Sequence, residues 1–306
     1  MRILVASQIS PVALEELAKH HEIVEAVNQP EDVLEERIAG CHALLFRSGV
    51  QITADVMAAS PDLQLVVRAG SGIDNIDLDY VAERGIALAR VPGPGARAVA
   101  EMTFALMLGL ARQMLPADRA LREGRWTKYQ VRGHLLHGKT LGVYGAGNIG
   151  SRVARMGVAW GMRVLACVEE NTPERRREFA EEGITLASPE TLLSEGDFVT
   201  LHVPLNDETR GLIGREELAR MKPSAFLVTL ARGGVVDEAA LLEALEAGEL
   251  AGAGLDVHEN EGEGHVSPLA HRSDVILTPH IGATTVDTQD IIGARIVEIV
   301  EEFQPA

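Results

Sequence analysis

The stretch TLGVYGAGNIG, residues 140–150, constrains the fold of this chain more than any other. A short apolar run of strand character leads into three glycines at G-x-G-x-x-G spacing, and the helical pattern SRVARMGVAWG continues from the last of them. Each glycine has its own physical task. Gly145 permits a tight turn, Gly147 lets the backbone approach a pyrophosphate, and Gly150 lets helix pack closely on strand. The helix N-terminus then offers N–H groups and a partial positive charge to phosphates. A plain strand-to-helix turn would explain one glycine but not three, so the segment predicts a dinucleotide crevice in a parallel α/β sheet.

The rest of the chain has the matching rhythm. Strand-like runs RILVAS, EIVEAV, HALLFR, LQLVVRAG and GIALAR alternate with helical patterns through residue 90, and a second series begins at TLGVYG. That series continues through RVLACV, DFVTLHV, AFLVTLA, AGAGLDV and DVILTPH, with helical stretches from Asn148 and across AALLEALEAG between its members. Alternation of this kind predicts two doubly wound α/β domains, which suits 306 residues. VPGPGAR at 91–97 reads as a hinge before a long apolar helix at 98–112, and residues 284–303 read as one helix that could return to the first lobe.

With 46% hydrophobic residues but only 2 Trp, 3 Tyr and 6 Phe, the cores must be aliphatic, as in buried parallel sheets. The net charge of −17 would repel a polyanion, so no nucleic-acid partner is expected. An anionic ligand must therefore be captured by local basic groups and backbone N–H. The first residues lack the features of a signal peptide and no apolar run reaches the length of a membrane span, so a soluble cytoplasmic protein without a membrane partner is expected. Cys41 and Cys167 are expected as buried thiols.

About 20 residues past the glycines, a carboxylate should meet the adenosine ribose if the dinucleotide is NAD. Val168 stands where that acid is usual, with Glu169 and Glu170 next, and Arg175, Arg176 and Arg177 follow beyond Pro173. NAD is the expected cofactor, and NADP stays open.

Arg232, Glu261 and His280 lie just past the ends of successive late strands, where open α/β sheets bind ligands. Together with RAGSGIDNID, VAEMTFALML, GKTLGVYGAGNIGS, LHVPLNDETRGLIG, ARGGVVDEAAL and TPHIGA, they make the chain resemble the D-isomer-specific 2-hydroxyacid dehydrogenase family over nearly its whole length. The resemblance implies a Rossmann NAD-binding domain, residues 98–283, inserted into a flavodoxin-like substrate domain, residues 1–97 plus 284–306, with the active site in the cleft between them. It implies that His280 is the general acid/base, that Glu261 orients it, and that Arg232 grips the substrate's carboxylate and carbonyl oxygen. Arg68, Ser71 and Gly72 would complete the substrate site. Gly145, Gly147, Asn148, Ile149, Gly150, Glu169, His202, Val203, Pro204, Leu230, Ala231 and Asp256 would hold the cofactor, Asp256 at the nicotinamide carboxamide. Gly262, Thr229, Gly95 and Ala98 depart from the family's usual Pro, Asn, Asn and Ser. His258, Glu261 and His265 share a loop without helical i, i+4 geometry, so no metal is expected.

The implied activity is hydride transfer between NAD(H) and a small D-2-hydroxy acid or its 2-oxo acid. Arg68 in RAGSGID is similar to the phosphoglycerate dehydrogenase branch, here without an appended regulatory domain, which points to 3-phosphoglycerate, with glyoxylate or hydroxypyruvate next. A homodimer through the cofactor domain is implied as well. The alternative is a catalytically silent dinucleotide-sensing protein of the same fold.

Overall fold

The computed structural model describes residues 1–304, which divide into two compact units, Met1–Ala98 with the segment from Ala283 onward, and Val99–Gly282. The first unit contains β1 (Arg2–Val5), α1 (Pro11–Leu17), β2 (Glu22–Glu25), α2 (Glu31–Ile38), β3 (Ala43–Phe46), α3 (Ala54–Ala58), β4 (Leu65–Arg68), α4 (Leu78–Arg84) and β5 (Ala87–Arg90). Helix α5 (Pro94–Ala111) runs across the division. The second unit continues with α6 (Met114–Arg122), β6 (Thr140–Tyr144), α7 (Gly150–Ala159), β7 (Arg163–Cys167), α8 (Pro173–Glu181), β8 (Ile184–Leu186), α9 (Pro189–Glu195) and β9 (Phe198–Leu201). It ends with α10 (Arg215–Arg220), β10 (Phe226–Thr229), α11 (Glu238–Glu246), β11 (Gly252–Leu255) and β12 (Val275–Leu277), and α12 (Val286–Glu302) belongs to the first unit.

Both sheets are wholly parallel. The five-stranded sheet has order β2-β1-β3-β4-β5, the flavodoxin-like arrangement, and the seven-stranded sheet has order β12-β11-β10-β9-β6-β7-β8, the Rossmann arrangement. The fold is the one expected, α/β with two doubly wound sheets. Strand periodicity explains how the first sheet is covered. Leu4, Leu44, Phe46 and Val66 face Leu34, Ile38, Val56 and Val81, whereas Ile3, Val5, Leu45 and Val67 face Leu17, Ile292, Ile296 and Val300. Helix α12 thus supplies the second face. It lies tight against α1, where a Cβ on Gly293 would come within 2.8 Å of the Ser10 side chain, and Ser10 Oγ donates to Asp290 at 3.0 Å.

In the second unit Gly157 does the same for α7, which leaves no room for a side chain between that helix and Leu141 and Val164. Thr172, Ser188, Asp237 and Thr285 cap α8, α9, α11 and α12 by accepting first-turn N–H groups. Segment 91–97, expected as a hinge, is helical from Pro94 onward, because proline's fixed φ and missing N–H suit a first helical turn. The short edge strand β8, only three residues long, was not anticipated in the sequence. Cys41 and Cys167 are free thiols, the first buried and the second half-buried, and burial pushes both up in pKa. Among the described residues, no single helix is long and apolar enough to cross a membrane.

Candidate active site

The glycine turn forms where β6 leaves the sheet. Gly145 has φ +90°, and its N–H and that of Ala146 donate to the Cys167 carbonyl at the end of neighbouring β7, at 3.1 and 3.0 Å. A Cβ on Gly150 would sit 2.1 Å from the Gly145 carbonyl oxygen, and one on Gly145 would sit 2.9 Å from that of His202. Nothing lies within 4 Å of a Cβ built on Gly147. The turn is therefore closed on its strand side and open at Gly147, at the positive end of the α7 dipole, which is a cradle of the shape a pyrophosphate fits. Asn148 is exposed at its rim, where its carbonyl and side-chain oxygens accept from Arg152.

Around the cradle, Glu169 and Glu170 are exposed just past β7, and Val168 is half-buried. Of the arginines beyond them, Arg176 donates to Asn171 Oδ1 at 2.7 Å and Arg177 pairs with Glu174 at 3.3 Å. His202, Val203 and Pro204 follow β9, and Leu230 and Ala231 are buried past β10. Both ring nitrogens of His202 are shut off from solvent and have no hydrogen-bond partner, and burial pushes the imidazole down to about 3. It is a neutral histidine.

The three residues expected to be catalytic follow the carboxyl ends of β10, β11 and β12, three adjacent strands. Glu261 Oε2 lies 2.7 Å from Nδ1 of His280. Burial raises the Glu261 carboxyl, but the hydrogen bond and charge of His280 and the His258 N–H outweigh it, and the net direction is down, so the carboxylate is the stable form. With Nδ1–H donated to that carboxylate, Nε2 is the ring nitrogen left for proton exchange.

His280 has φ +54°, a left-handed conformation that costs a non-glycine residue about 1 kcal/mol. Asp256 holds it there. The Asp256 carbonyl accepts the His280 N–H at 2.7 Å, its Oδ1 accepts from Thr278 Oγ1 at 2.6 Å and Ile281 N at 2.9 Å, and its Oδ2 accepts from Gly282 N at 2.7 Å. Expected as a cofactor contact, this buried carboxylate spends three of its acceptor sites on the turn that carries His280.

Arg232 follows β10, half-buried, with Nη1 donating to the Ala231 carbonyl at 2.7 Å. Its turn meets the Glu261 loop closely, since a Cβ on Gly233 would stand 1.8 Å from the His258 carbonyl oxygen.

In the first unit, Arg68 is buried at the end of β4, its guanidinium 5.9 Å from the Phe46 ring and folded over Gly70, whose added Cβ would meet Nη1 at 2.3 Å. Ser71 and Gly72 continue that turn. A residue passed over in the sequence, Arg47, follows neighbouring β3 at the same carboxyl end of the sheet, half-buried, with its N–H donated to Ser7 Oγ at 2.9 Å. Burial lowers its pKa. The only signal was an arginine closing the apolar run HALLF in a strongly acidic chain.

A Rossmann sheet with a phosphate cradle, and an imidazole–carboxylate pair at its strand ends, belongs to the dinucleotide-binding oxidoreductases. Residues 104–282 match the D-isomer specific 2-hydroxyacid dehydrogenase, NAD binding domain. The chain is 39% identical to D-3-phosphoglycerate dehydrogenase of Archaeoglobus fulgidus over 97% of its own length and 56% of that protein's. It is 41% identical to hydroxypyruvate reductase of Thermotoga maritima, covering 87% of this chain and 86% of the relative. The crystal structure of D-lactate dehydrogenase from Aquifex aeolicus complexed with NAD and lactic acid superimposes with a TM-score of 0.85 at 30% identity, over 98% of this chain and 94% of that one. The chain belongs to the D-isomer specific 2-hydroxyacid dehydrogenase family. It spans little more than half the length of the phosphoglycerate dehydrogenases that it matches.

Proposed function

We propose that the protein interconverts a small D-2-hydroxy acid and its 2-oxo acid with NAD(H). The observation that carries this reading is the 2.7 Å bond between Glu261 and His280 on the unit that also forms the glycine cradle. When bound, the nicotinamide supplies the hydride to the carbonyl carbon or removes it from the alcohol carbon. His280 gives a proton through Nε2 to the oxygen of the 2-oxo acid and takes one back in the oxidative direction. Glu261 keeps the ring oriented through its bond to Nδ1, and Arg232 offers a planar fork to carboxylate and carbonyl oxygen. Arg68 and the N–H groups of Ser71 and Gly72 would bind the substrate as well.

The substrate reading is 3-phosphoglycerate first, supported by Arg47 and Arg68 at the carboxyl ends of β3 and β4, then glyoxylate or hydroxypyruvate. NAD is favoured over NADP because Glu169 and Glu170 follow β7 and two of the three downstream arginines already have partners. A cytoplasmic homodimer through the cofactor-binding unit is part of the proposal. Leu115, Leu121, Trp126, Tyr129 and Leu135 are exposed within one segment of that unit, an apolar surface of the kind subunit interfaces cover.

The test is a crossed screen of NADH and NADPH against small 2-oxo acids. Oxidation of NADH by at least one of them is the expected result. Uniform inactivity with the dinucleotide still bound would favour a sensing role instead.

A further inference from the structure

His258 takes no part in the chemistry above, yet it touches both members of the acid/base pair's support. It lies two residues past Asp256 on the exit from β11, and its backbone N–H donates to Glu261 Oε1 at 3.2 Å. Its ring Nε2 lies 3.0 Å from the carbonyl oxygen of Thr278, two residues before His280. A carbonyl only accepts, so Nε2 carries the proton. The ring is nearly enclosed, with 14% of its side-chain surface exposed. Nδ1 is shut off from solvent without a hydrogen-bond partner, 3.9 Å from Oε1 of Glu238.

Glu238 is itself buried at the start of α11 and fastens the same loop. Its carboxylate accepts from the Glu259 N–H at 2.8 Å and from Ser267 Oγ at 3.1 Å, while its own N–H donates to Glu259 Oε1 at 3.1 Å. One end of the Glu261 loop is thereby tied to α11. Asp256 fastens the start of that loop to the β12 exit, and the His258 ring adds a second side-chain tie between them, two residues nearer Glu261.

We propose that His258 is a positioning residue that keeps Glu261 and His280 in register, its N–H on the carboxylate of one and its imidazole on the carbonyl that leads to the other. Two loops from different strands must hold one 2.7 Å bond between them, and a rigid ring bridging their bases removes the freedom to slide apart. A residue that merely filled the space could be any ring of similar volume. What distinguishes the proposal is the Nε2–H to Thr278 bond.

The inference rests on the hydride-transfer reading for its kinetic arm alone. The full chain carrying His258→Phe, His258→Asn or His258→Gln is compared with the unaltered protein and with Glu261→Gln. Phe keeps ring volume without a donor, Asn places its amide where Nδ1 stood, and Gln places its amide close to Nε2. The first readout is a histidine-labelled nitrogen NMR titration of His280. In the Phe and Asn variants the His280 titration should move toward that of Glu261→Gln, and in the Gln variant it should return toward the original.

The second readout is steady-state reduction of whichever 2-oxo acid the protein accepts. Here kcat should fall about ten- to a hundredfold in the Phe and Asn variants with KM for NADH unchanged, and Gln should recover most of it. If the Phe variant does not fold, the Asn and Gln pair makes the same comparison. A His280 titration unchanged in Asn, or Gln as impaired as Asn, would overturn the proposal. Absence of turnover with every oxo acid would instead count against the proposed function and leave the NMR result to decide this inference.

Discussion

Gly233 and His258 approach so closely that a methyl group on the first would overlap the carbonyl oxygen of the second, 1.8 Å away. The obstacle is backbone, so relief requires one of two loops to move: the turn that follows Arg232 or the loop that leads to Glu261. Gly233→Ala should therefore misplace the guanidinium relative to the acid/base pair while leaving the glycine cradle untouched. A displacement near 1 Å at a reacting centre costs on the order of 10² in rate. The expected outcome is a fall of that size in kcat/KM with the dissociation constant for NADH unchanged, measured by steady-state assay and fluorescence titration. Full activity in the alanine variant would mean that the two loops are not held in a fixed relation.

In the proposed reaction His280 exchanges a proton with the substrate oxygen and holds no part of the dinucleotide, so His280→Ala tests that role alone. Loss of a general acid lowers turnover by a factor of about 10² to 10⁴. NADH binding followed by protein fluorescence should remain within about twofold of the original, because a residue acting only on the substrate contributes nothing to the cofactor's affinity. An unchanged kcat would remove the imidazole from the mechanism and leave its bond to Glu261 a structural one.

Much of this was legible in the sequence, for reasons that differ from element to element. The glycines 145, 147 and 150 announce themselves by their spacing between strand and helix, and the structure puts Gly145 at φ +90°, leaves open space at Gly147 and presses Gly150 against the Gly145 carbonyl. The pairing of Glu261 with His280 came from resemblance, since nineteen positions separate them and no local spacing links them.

Asp256 shows the limit. Its identity was readable, but its grip on Thr278, Ile281 and Gly282 depends on His280 adopting a positive φ, which no propensity of histidine foretells. Arg47 escaped notice because an arginine ending a strand reads like any charge at an element boundary. The helical start of α5 was hidden by a proline-glycine composition that suits a first turn as well as a loop.

His202 should leave a mark on stability at acid pH. Its folded-state pKa of about 3 lies far below the ordinary histidine value of about 6.5, so between these limits the unfolded chain takes up a proton that the folded chain refuses. Protons bound in excess by the unfolded state make stability rise with pH, with a slope of up to about 1.4 kcal/mol per pH unit from this one group. Urea unfolding at steps from pH 7 to pH 4 should show stability falling once the pH drops below about 6.5. His202→Gln should have a shallower slope over the same window, whatever its stability at pH 7. Parallel slopes for the two proteins would show that the ring is protonated without penalty and that it is not shut away from water.

Glu261 acts in a lower window and through the opposite protonation preference. Its carboxyl is held below the ordinary glutamate value of about 4.3, because the His280 ring and the His258 N–H favour the anion more than burial opposes it. A depressed folded-state pKa contributes stability that is fully present above the unfolded value and is lost as pH falls through the folded one. Glu261→Gln should therefore be less stable than the unaltered protein at pH 6, and the difference should shrink steadily below about pH 4.3 as the carboxylate of the latter is neutralised. Because nearly a third of this side chain is exposed, solvent screens the interaction and the difference at pH 6 should be modest. Chemical denaturation of both proteins at pH 6, 5, 4 and 3.5 measures it. A gap that stays constant across that range would show that the variant's loss is one of packing rather than of charge, and would separate the carboxylate at 261 from the proton balance of His280.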